Sequence, residues 1–224
     1  MRTFLALFLV VPSFSFAEKN IDLQWSVCSR DAYAVASALG ADSSPKSGSI
    51  TYYDSASPRF IDLGTTFRVK EQDGLLESSV KIRSRNKDGM SGDGAECEWD
   101  RYGDDESYTC EVSAEGVTGS LPWTGAQTKF MAKHGFTDWA DLRAFGSYRS
   151  LGWKIKFKGY KVKFDSVTLP GVPDPIMEIS IKVPRSEGDE VYREISSELR
   201  QRNVEFCPNQ ESRTMRIFRA LGYK

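Results

Sequence analysis

Charged residues of one sign recur two positions apart along several segments of this chain. The sets are Arg68 and Lys70; Lys81 and Arg83; Glu96, Glu98 and Asp100; and Lys154, Lys156 and Lys158. Side chains two positions apart on a strand point to the same side, so each set would place like charges next to one another. Like charges at this spacing repel unless a bound ion of opposite sign offsets them. The basic sets could therefore bind an anion and the acidic set a cation.

Apolar residues occupy the alternate positions of the same segments. Phe67 and Val69 alternate with the first basic pair, and Val80 and Ile82 with the second. A strand with one charged and one apolar face packs its apolar face into a core. Two arrangements fit this pattern: an open sheet whose charged face meets solvent, and a barrel whose charged faces line a lumen. The alternation alone leaves both arrangements open.

Strands dominate the predicted secondary structure, with helices near both ends and in the middle. The predicted strands cover 22–27, 49–54, 64–72, 75–85, a hairpin at 95–115, 148–157, 160–169 and 176–183. The predicted helices cover 30–39, two short segments within 123–145, 191–202 and 212–221. The expected N-caps are Ser29, Thr137 and the S-x-x-D sequence at 186–189. This content predicts an α+β fold.

The four cysteines predict two disulfides. Residues 103–104 are typical of a two-residue hairpin turn, which would place Cys97 opposite Cys110 on neighbouring strands. A cross-strand disulfide fits that position, and it leaves Cys28 to pair with Cys207. No two cysteines have the close spacing of a zinc site.

Residues 1–17 have the features of a secretory signal peptide. Arg2 supplies the basic start, residues 4–11 are apolar, and Ser15 and Ala17 are the small residues before the expected cleavage point. The apolar run is shorter than the roughly 20 residues of a membrane-spanning helix. We predict that residues 18–224 form a single domain in the periplasm or outside the cell, where disulfides persist. No membrane span is expected after cleavage.

The charge balance limits the classes of partner. The chain has 30 basic and 31 acidic residues and a formal net charge of −1. This balance argues against general binding of nucleic acid or of an anionic membrane. With His134 as the single histidine, a histidine-rich metal site is excluded.

An ordered series of short motifs resembles the CYTH superfamily, the triphosphate tunnel metalloenzymes. In chain order the motifs are TYYDS at 51–55, LGTTFRVK at 63–70, SVKIR at 79–83, AECE at 95–98, FDSVTLPG at 164–171 and MEIS at 177–180. They are similar to the family's YYDT, G-x-x-L-R-x-R, inward-lysine, R-x-E-x-E, D-x-V-x-x-L-G and E-I-E motifs. The resemblance implies an antiparallel β-barrel, or tunnel, with helices packed outside.

The signature motif of that family is degenerate in this chain. The family has E-x-E-x-K on its first strand, where this chain has DLQWS at 22–26, with Gln24 and Ser26 in place of the second acid and the lysine. In the E-I-E motif, Ser180 replaces the second acid. Family members hold divalent metal on these carboxylates, so we expect weaker metal binding here.

The resemblance implies a phosphate site and a metal site. The implied phosphate-binding residues are Arg68, Lys70, Lys81, Arg83 and Lys156. The implied metal ligands are Asp22, Glu96, Glu98 and Glu178, for Mg²⁺ or Mn²⁺. Arginine binds phosphate oxygens in pairs and lysine acts as a point charge. Two alternatives remain: the basic residues form salt bridges with Glu96, Glu98 and Glu178, and the lysines at 154–158 belong to a solvated hairpin.

Three functions are compatible with these residues. The first is binding of a phosphate-rich small anion or polyphosphate with weak or no catalysis, which the loss of signature acids favours. The second is a divalent-metal-dependent triphosphate or polyphosphate phosphohydrolase. The third is a non-catalytic envelope interaction module whose charges neutralise one another.

Overall fold

A computed structural model describes residues 20–90, 94–117 and 122–223 of the chain. The predicted signal peptide lies outside these residues. The strands are β1 (Asn20–Val27), β2 (Lys46–Asp54), β3 (Thr65–Gln72), β4 (Leu75–Ser84), β5 (Glu96–Tyr102), β6 (Asp105–Glu115), β7 (Arg143–Phe157), β8 (Tyr160–Thr168) and β9 (Ile176–Pro184). The helices are α1 (Ala32–Ala38), α2 (Gly125–Lys133), α3 (Gly188–Gln201) and α4 (Arg213–Ala220).

The strands close into a barrel in the order β1-β5-β6-β4-β3-β2-β7-β8-β9. Among the described strands, neighbours are antiparallel except for β1 and β5, which are parallel. Closure removes the unpaired edges that an open sheet would expose. The closed barrel confirms the tunnel fold, and the alternative of an open sheet with a solvated face is wrong.

The apolar side of the strands faces outward beneath three helices. Val35 of α1 and Ile195 of α3 pack with Trp25, Phe164 and Ile179 in one buried cluster. On the opposite flank, α2 covers a second cluster built around strands β3 to β6. The charged side of most strands is thereby turned into the lumen. This arrangement agrees with the predicted helices outside the barrel.

Helix α4 has a different position, at one end of the lumen. The inward-facing residues at this end are apolar, and Ile50 and Tyr52 are almost fully buried there. Ile217 and Phe218 of α4 pack against them, with the Tyr52 and Phe218 rings 6.0 Å apart. These apolar contacts with α4 close one end of the lumen, which the sequence pattern did not predict.

The disulfides predicted from the hairpin register are present. Cys97 lies opposite Cys110 in the β5–β6 register, and the two are bonded. Cys28 is bonded to Cys207 across 179 residues. The turn between β5 and β6 contains Gly103 with a φ of +60°, a conformation that disfavours a side chain.

Three predicted helix features are wrong. The cap of α1 is Asp31, whose carboxylate accepts from the Tyr33 and Ala34 amides, and not Ser29, whose hydroxyl accepts from the Glu205 amide. Thr137 caps no helix, because only a single 3-10 turn follows it before β7 begins. The sequence at 186–189 forms no capping box, since α3 begins after Glu187 without a side-chain cap.

Strand β7 extends further toward the N-terminus than predicted. It begins at Arg143, inside the segment expected to be helical. Ala144 and Phe145 pair with Tyr53 and Tyr52 of β2, and this pairing outweighs their local preference. Within the described residues, no helix has the length and hydropathy needed to cross a membrane.

Candidate functional site

The lumen is lined by the charged positions of eight strands and by the start of α4. Its central cavity has a volume of about 190 Å³ and is bordered by Asp22, Arg68, Lys81, Arg83, Glu98, Glu178 and Arg213, among others. Two wider cavities adjoin it, with volumes of about 650 and 310 Å³. Successive side chains of a strand point to opposite faces, so the neighbours of these inward strand residues point outward into the core beneath the helices.

Basic residues in the centre of the lumen are paired with acidic ones. Glu111 of β6 accepts from Arg68 at 3.1 Å and lies 3.1 Å from the Lys81 ammonium. Burial alone would raise the pKa of Glu111, but the charges of Lys81 and Arg68 lower it to about 2. Both cations therefore already have an anion, supplied by the protein.

Two further pairs complete this central network. Arg83 donates to Asp100 at 2.8 Å, and the Thr109 hydroxyl donates to the same carboxylate oxygen at 2.8 Å. Arg213, the first residue of α4, has its guanidinium 2.9 Å from the Asp165 carboxylate. Burial opposes ionisation of Asp165, but the Arg213 charge outweighs it and lowers the pKa of that carboxyl.

Five lysines on one side of the lumen have no ion-pair partner among the described residues, and we call them the lysine row: Lys70, Lys154, Lys156, Lys161 and Lys163. Lys154 is the cross-strand neighbour of Lys163, and Lys156 that of Lys161. The larger of the two wider cavities is lined by the four lysines of β7 and β8, and the smaller by Lys70, Lys154 and Lys163. The row therefore joins two openings of the lumen.

The lysine row carries uncompensated positive charge. Directly opposed like charges destabilise a sheet, and here two lysine pairs face each other across β7 and β8. At Lys70 burial is the main influence and lowers the pKa of its ammonium, with the nearby Asp165 charge acting in the opposite direction. The four lysines of β7 and β8 are exposed, whereas Lys70 is partly buried. An anion placed among the ammonium groups would relieve the repulsion along the row and, at Lys70, also the burial of charge.

Acidic residues gather on the other side of the lumen. Asp22, Glu98 and Asp100 each offer an oxygen within 4.8 Å of the other two. Burial, followed by the charges of Asp100 and Glu98, raises the pKa of Asp22 to about 8. Near neutral pH a proton on Asp22 thus reduces the repulsion among the three.

This acidic trio fits a hard divalent cation. Asp100 is 1% exposed, and its Oδ1 atom has no hydrogen-bond partner among the described residues. Mg²⁺ and Mn²⁺ prefer carboxylate oxygens, so Asp22, Glu98 and Asp100 supply a suitable donor set. Competition is also present, because Arg83 occupies the second Asp100 oxygen and Lys182 is paired with Glu98.

The buried proton on Asp22 predicts a pH dependence of stability. The unfolded chain loses this proton near pH 4 and the folded chain near pH 8, so the free energy of unfolding should fall as pH rises between these values. We expect Asp22→Asn to remove about 1–3 kcal/mol of that fall, less than the full shift implies because the lumen admits water. Urea denaturation at pH 5 and pH 8 measures it.

The matched control is Asp88→Asn, which removes an exposed carboxylate outside the lumen. That variant should keep the pH slope of the native protein. An unchanged slope in Asp22→Asn would contradict the assignment of a proton to Asp22.

The structure brings most of the predicted site residues together. Asp22, Arg68, Lys81, Arg83, Glu98 and Glu178 all border the central cavity, Lys70 and Lys156 border the wider ones, and Glu96 borders a side cavity with Lys81, Glu98 and Glu111. The partners expected for the basic residues were Glu96, Glu98 and Glu178. The observed partners are Glu77, Glu111 and Asp100. Glu77 lies near Arg68 because β3 pairs with β4, and the other two acids lie near Lys81 and Arg83 because β4 and β5 both pair with β6.

Asp100 belongs to the acidic set that the alternation identified as able to bind a cation, although the family resemblance did not include it among the implied metal ligands. Other site residues were missed. Lys161 and Lys163 alternate in the same way on β8. Arg213 gives no such signal, because its position depends on where α4 enters the barrel.

The degenerate signature positions have specific contacts. The Gln24 amide donates to Asp22 at 3.2 Å, so it orients a carboxylate instead of supplying one. The hydroxyl of Ser26 donates to the Glu211 carbonyl at 2.6 Å. Ser26 thereby anchors the segment before α4, and Arg213 supplies a lumen cation from that helix.

Solved structures share this architecture along most of the chain. One is a candidate adenylyl cyclase from Hippeastrum described as having a dominant triphosphatase activity; it is 14% identical, with a TM-score of 0.63, over 90% of this chain and 95% of that one. Another, a candidate adenylate cyclase from Bacillus halodurans, is 13% identical, with a TM-score of 0.63, over 90% and 98%. No protein-family model and no curated protein matches the sequence. The likeness shows that the chain shares the fold of these proteins.

Proposed function

We propose that the tunnel binds a phosphate-rich anion of the triphosphate or polyphosphate type, with weak or no catalysis. The observation that carries the proposal is the lysine row, whose five ammonium groups lack acidic partners among the described residues. A linear chain of phosphates presents repeated negative charges to such a row, and charge-assisted hydrogen bonds to it are strong. The triphosphatase activity described for the Hippeastrum protein supports the same ligand class.

We expect weak catalysis because the cations in the centre of the lumen are already paired with acidic residues. Phosphoryl transfer needs metal and cations that neutralise developing charge on the phosphates. Here Arg68, Lys81 and Arg83 are occupied by Glu111 and Asp100. Gln24 and Ser180 contribute no carboxylate to a metal. Binding by the row needs none of these groups.

The direct test is calorimetric titration of the protein with tripolyphosphate in the presence of EDTA, with sulfate as the control anion. We expect metal-independent binding of tripolyphosphate that weakens with added salt, because the contacts are ionic. Sulfate should bind at least tenfold more weakly. No heat of binding at low salt would contradict the proposal.

A metal-dependent phosphohydrolase is the second candidate, and the acidic trio favours it. Asp22, Glu98 and Asp100 would hold Mg²⁺ or Mn²⁺, which would neutralise charge on a bound phosphate chain. Release of inorganic phosphate from tripolyphosphate, dependent on either metal and abolished in Asp100→Asn, would establish this activity. Binding without release leaves the first proposal as stated.

The third candidate, an interaction module without a ligand, is favoured by the paired centre of the lumen. It predicts that neither binding nor turnover is observed. We propose export to the periplasm or the exterior for each of the three functions. The two disulfides support that location, because such bonds persist in oxidising compartments.

A further inference from the structure

The Cys28–Cys207 disulfide lies where the barrel meets the segment that leads into α4. Cys28 follows β1 directly, and Cys207 lies six residues before the first residue of α4. Around the disulfide, the Cys28 amide donates to the Glu205 carbonyl at 2.8 Å and the Cys207 amide to the Ser26 carbonyl at 2.9 Å. The disulfide is thus the covalent part of a joint between β1 and the segment 204–211.

That joint positions the helix that closes one end of the lumen. Gln210 accepts from the Ser26 amide at 2.8 Å, and α4 begins three residues later. Arg213 then reaches Asp165 in the lumen, and Phe218 packs on Tyr52. Arg216 of α4 also donates directly to the Met177 and Val27 carbonyls of the barrel. The position of α4 therefore depends in part on how firmly the segment 204–211 is held.

The surroundings of this disulfide favour thiol exchange. Cys28 is partly exposed, and the disulfide borders a surface cavity lined also by Arg216 and Arg219. The Arg216 guanidinium lies 3.7 Å from the Cys28 sulfur. A cation there attracts an incoming thiolate and stabilises a Cys28 thiolate after release.

The second disulfide has a different environment. Cys110 is fully buried and Cys97 nearly so, within the apolar cluster beneath α2. Among the described residues, no arginine is recorded in contact with either sulfur. Burial without a neighbouring cation disfavours attack by a thiolate.

We propose that Cys28–Cys207 is a reducible latch that holds α4 in the end of the tunnel. A thiolate of a dithiol reductant attacks the Cys28 sulfur and forms a mixed disulfide, and Cys207 leaves as a thiolate that takes up a proton. The second thiol of the reductant, as thiolate, then attacks the reductant's own sulfur in the mixed disulfide. This step releases Cys28 as a thiolate beside Arg216. Two electrons pass from the dithiol, which becomes a cyclic disulfide, to the two cysteines.

Reduction leaves α4 held without a covalent bond, by hydrogen bonds, the Arg213–Asp165 ion pair and apolar contacts. Opening of α4 then separates Arg213 from Asp165 and exposes the apolar end of the lumen. That this opening changes anion binding rests on the proposed function, whereas the opening itself does not.

The test is brief treatment of the oxidised protein with dithiothreitol, followed by thiol labelling and hydrogen–deuterium exchange, both read by mass spectrometry. We expect label on Cys28 and Cys207 before Cys97 and Cys110, and amide exchange in 213–220 at least tenfold faster than in the oxidised protein. Earlier reduction of Cys97–Cys110, or unchanged exchange in α4, would overturn the latch.

Two arginine variants test the same proposal in proteins that keep both disulfides, so the result does not depend on whether the chain folds without Cys28–Cys207. Arg216→Met should slow reduction of Cys28–Cys207 at least threefold. Arg219→Met alters the charge of the same cavity, where Arg219 is paired with Glu211, but removes no contact with the sulfur, so it should slow reduction less. Equal rates in the two variants would contradict the role of Arg216. Faster exchange in reduced α4 without any tripolyphosphate binding in either state would uphold the latch and refute the proposed function.

Discussion

Replacing Lys154 and Lys163 with alanine should weaken tripolyphosphate binding by about 100-fold. The two ammonium groups are cross-strand neighbours, and both border the two wider cavities of the lumen. A charge-assisted hydrogen bond to a ligand contributes about 1.5 kcal/mol or more, which is roughly tenfold in affinity for each lysine. Calorimetric titration of the native and variant proteins in the same buffer measures the change.

The matched control is the Lys87→Ala/Lys158→Ala double variant, which removes the same charge from outside the lumen. Lys158 lies in the β7–β8 turn and is paired with Glu198 of α3, and neither lysine borders the cavities described above. The control should lose less than threefold. Equal losses in the two double variants would show that general electrostatics, and not the lysine row, governs binding.

Replacing Glu111 with glutamine should have opposite effects on stability and on binding. The variant leaves Lys81 and Arg68 without their shared anion, and because these side chains are only partly buried we expect a cost of about 1–3 kcal/mol. In the variant, the freed Lys81 and Arg68 give a phosphate chain a further place to bind in the centre, in addition to the lysine row, so we expect affinity for tripolyphosphate to rise about tenfold. Thermal unfolding with and without tripolyphosphate reports both effects.

Glu77→Gln serves as the control, because Glu77 lies at 3.9 Å from Arg68 and is more exposed than Glu111. Its unfolding temperature and its affinity should stay close to those of the native protein. A Glu111→Gln protein that is destabilised and gains nothing from tripolyphosphate would show that Glu111 is a structural partner and no competitor for an anion.

Several strands could be predicted because charged residues occupy alternate positions along them. Alternation of Arg68 and Lys70 with Phe67 and Val69 has a period of two, which a helix cannot satisfy. The two-residue turn at 103–104 predicted the register of the β5–β6 hairpin and its disulfide. Charge alternation, by contrast, did not predict every strand. It failed at the start of β7, where Ala144 and Phe145 have no alternating charge and the strand forms through pairing with β2.

The ion pairs could not be predicted, since they depend on which strands become neighbours. Lys81 meets Glu111 because β4 pairs with β6, and a parallel contact places Asp22 beside Asp100. Neither pairing follows from the order of strands in the chain. The motif resemblance indicated a lumen, but it directed attention to Glu96 and Glu178 and passed over Asp100.

The chemical character of the lumen changes along the tunnel, and this change accounts for the proposed function. One end is apolar and covered by α4, the centre is filled by paired charges, and the lysine row carries charge without partners. An anion gains most where its charge is not already matched. We therefore place the ligand along the row and not in the centre that the family motifs indicate.

A crystal structure of the protein with tripolyphosphate tests this account most directly. It should show phosphate oxygens within hydrogen-bonding distance of Lys154 and Lys163, with the chain extending toward Lys70 or Lys156. Phosphate density confined to the outer surface of the barrel, or a lumen that holds only water at saturating tripolyphosphate, would contradict it.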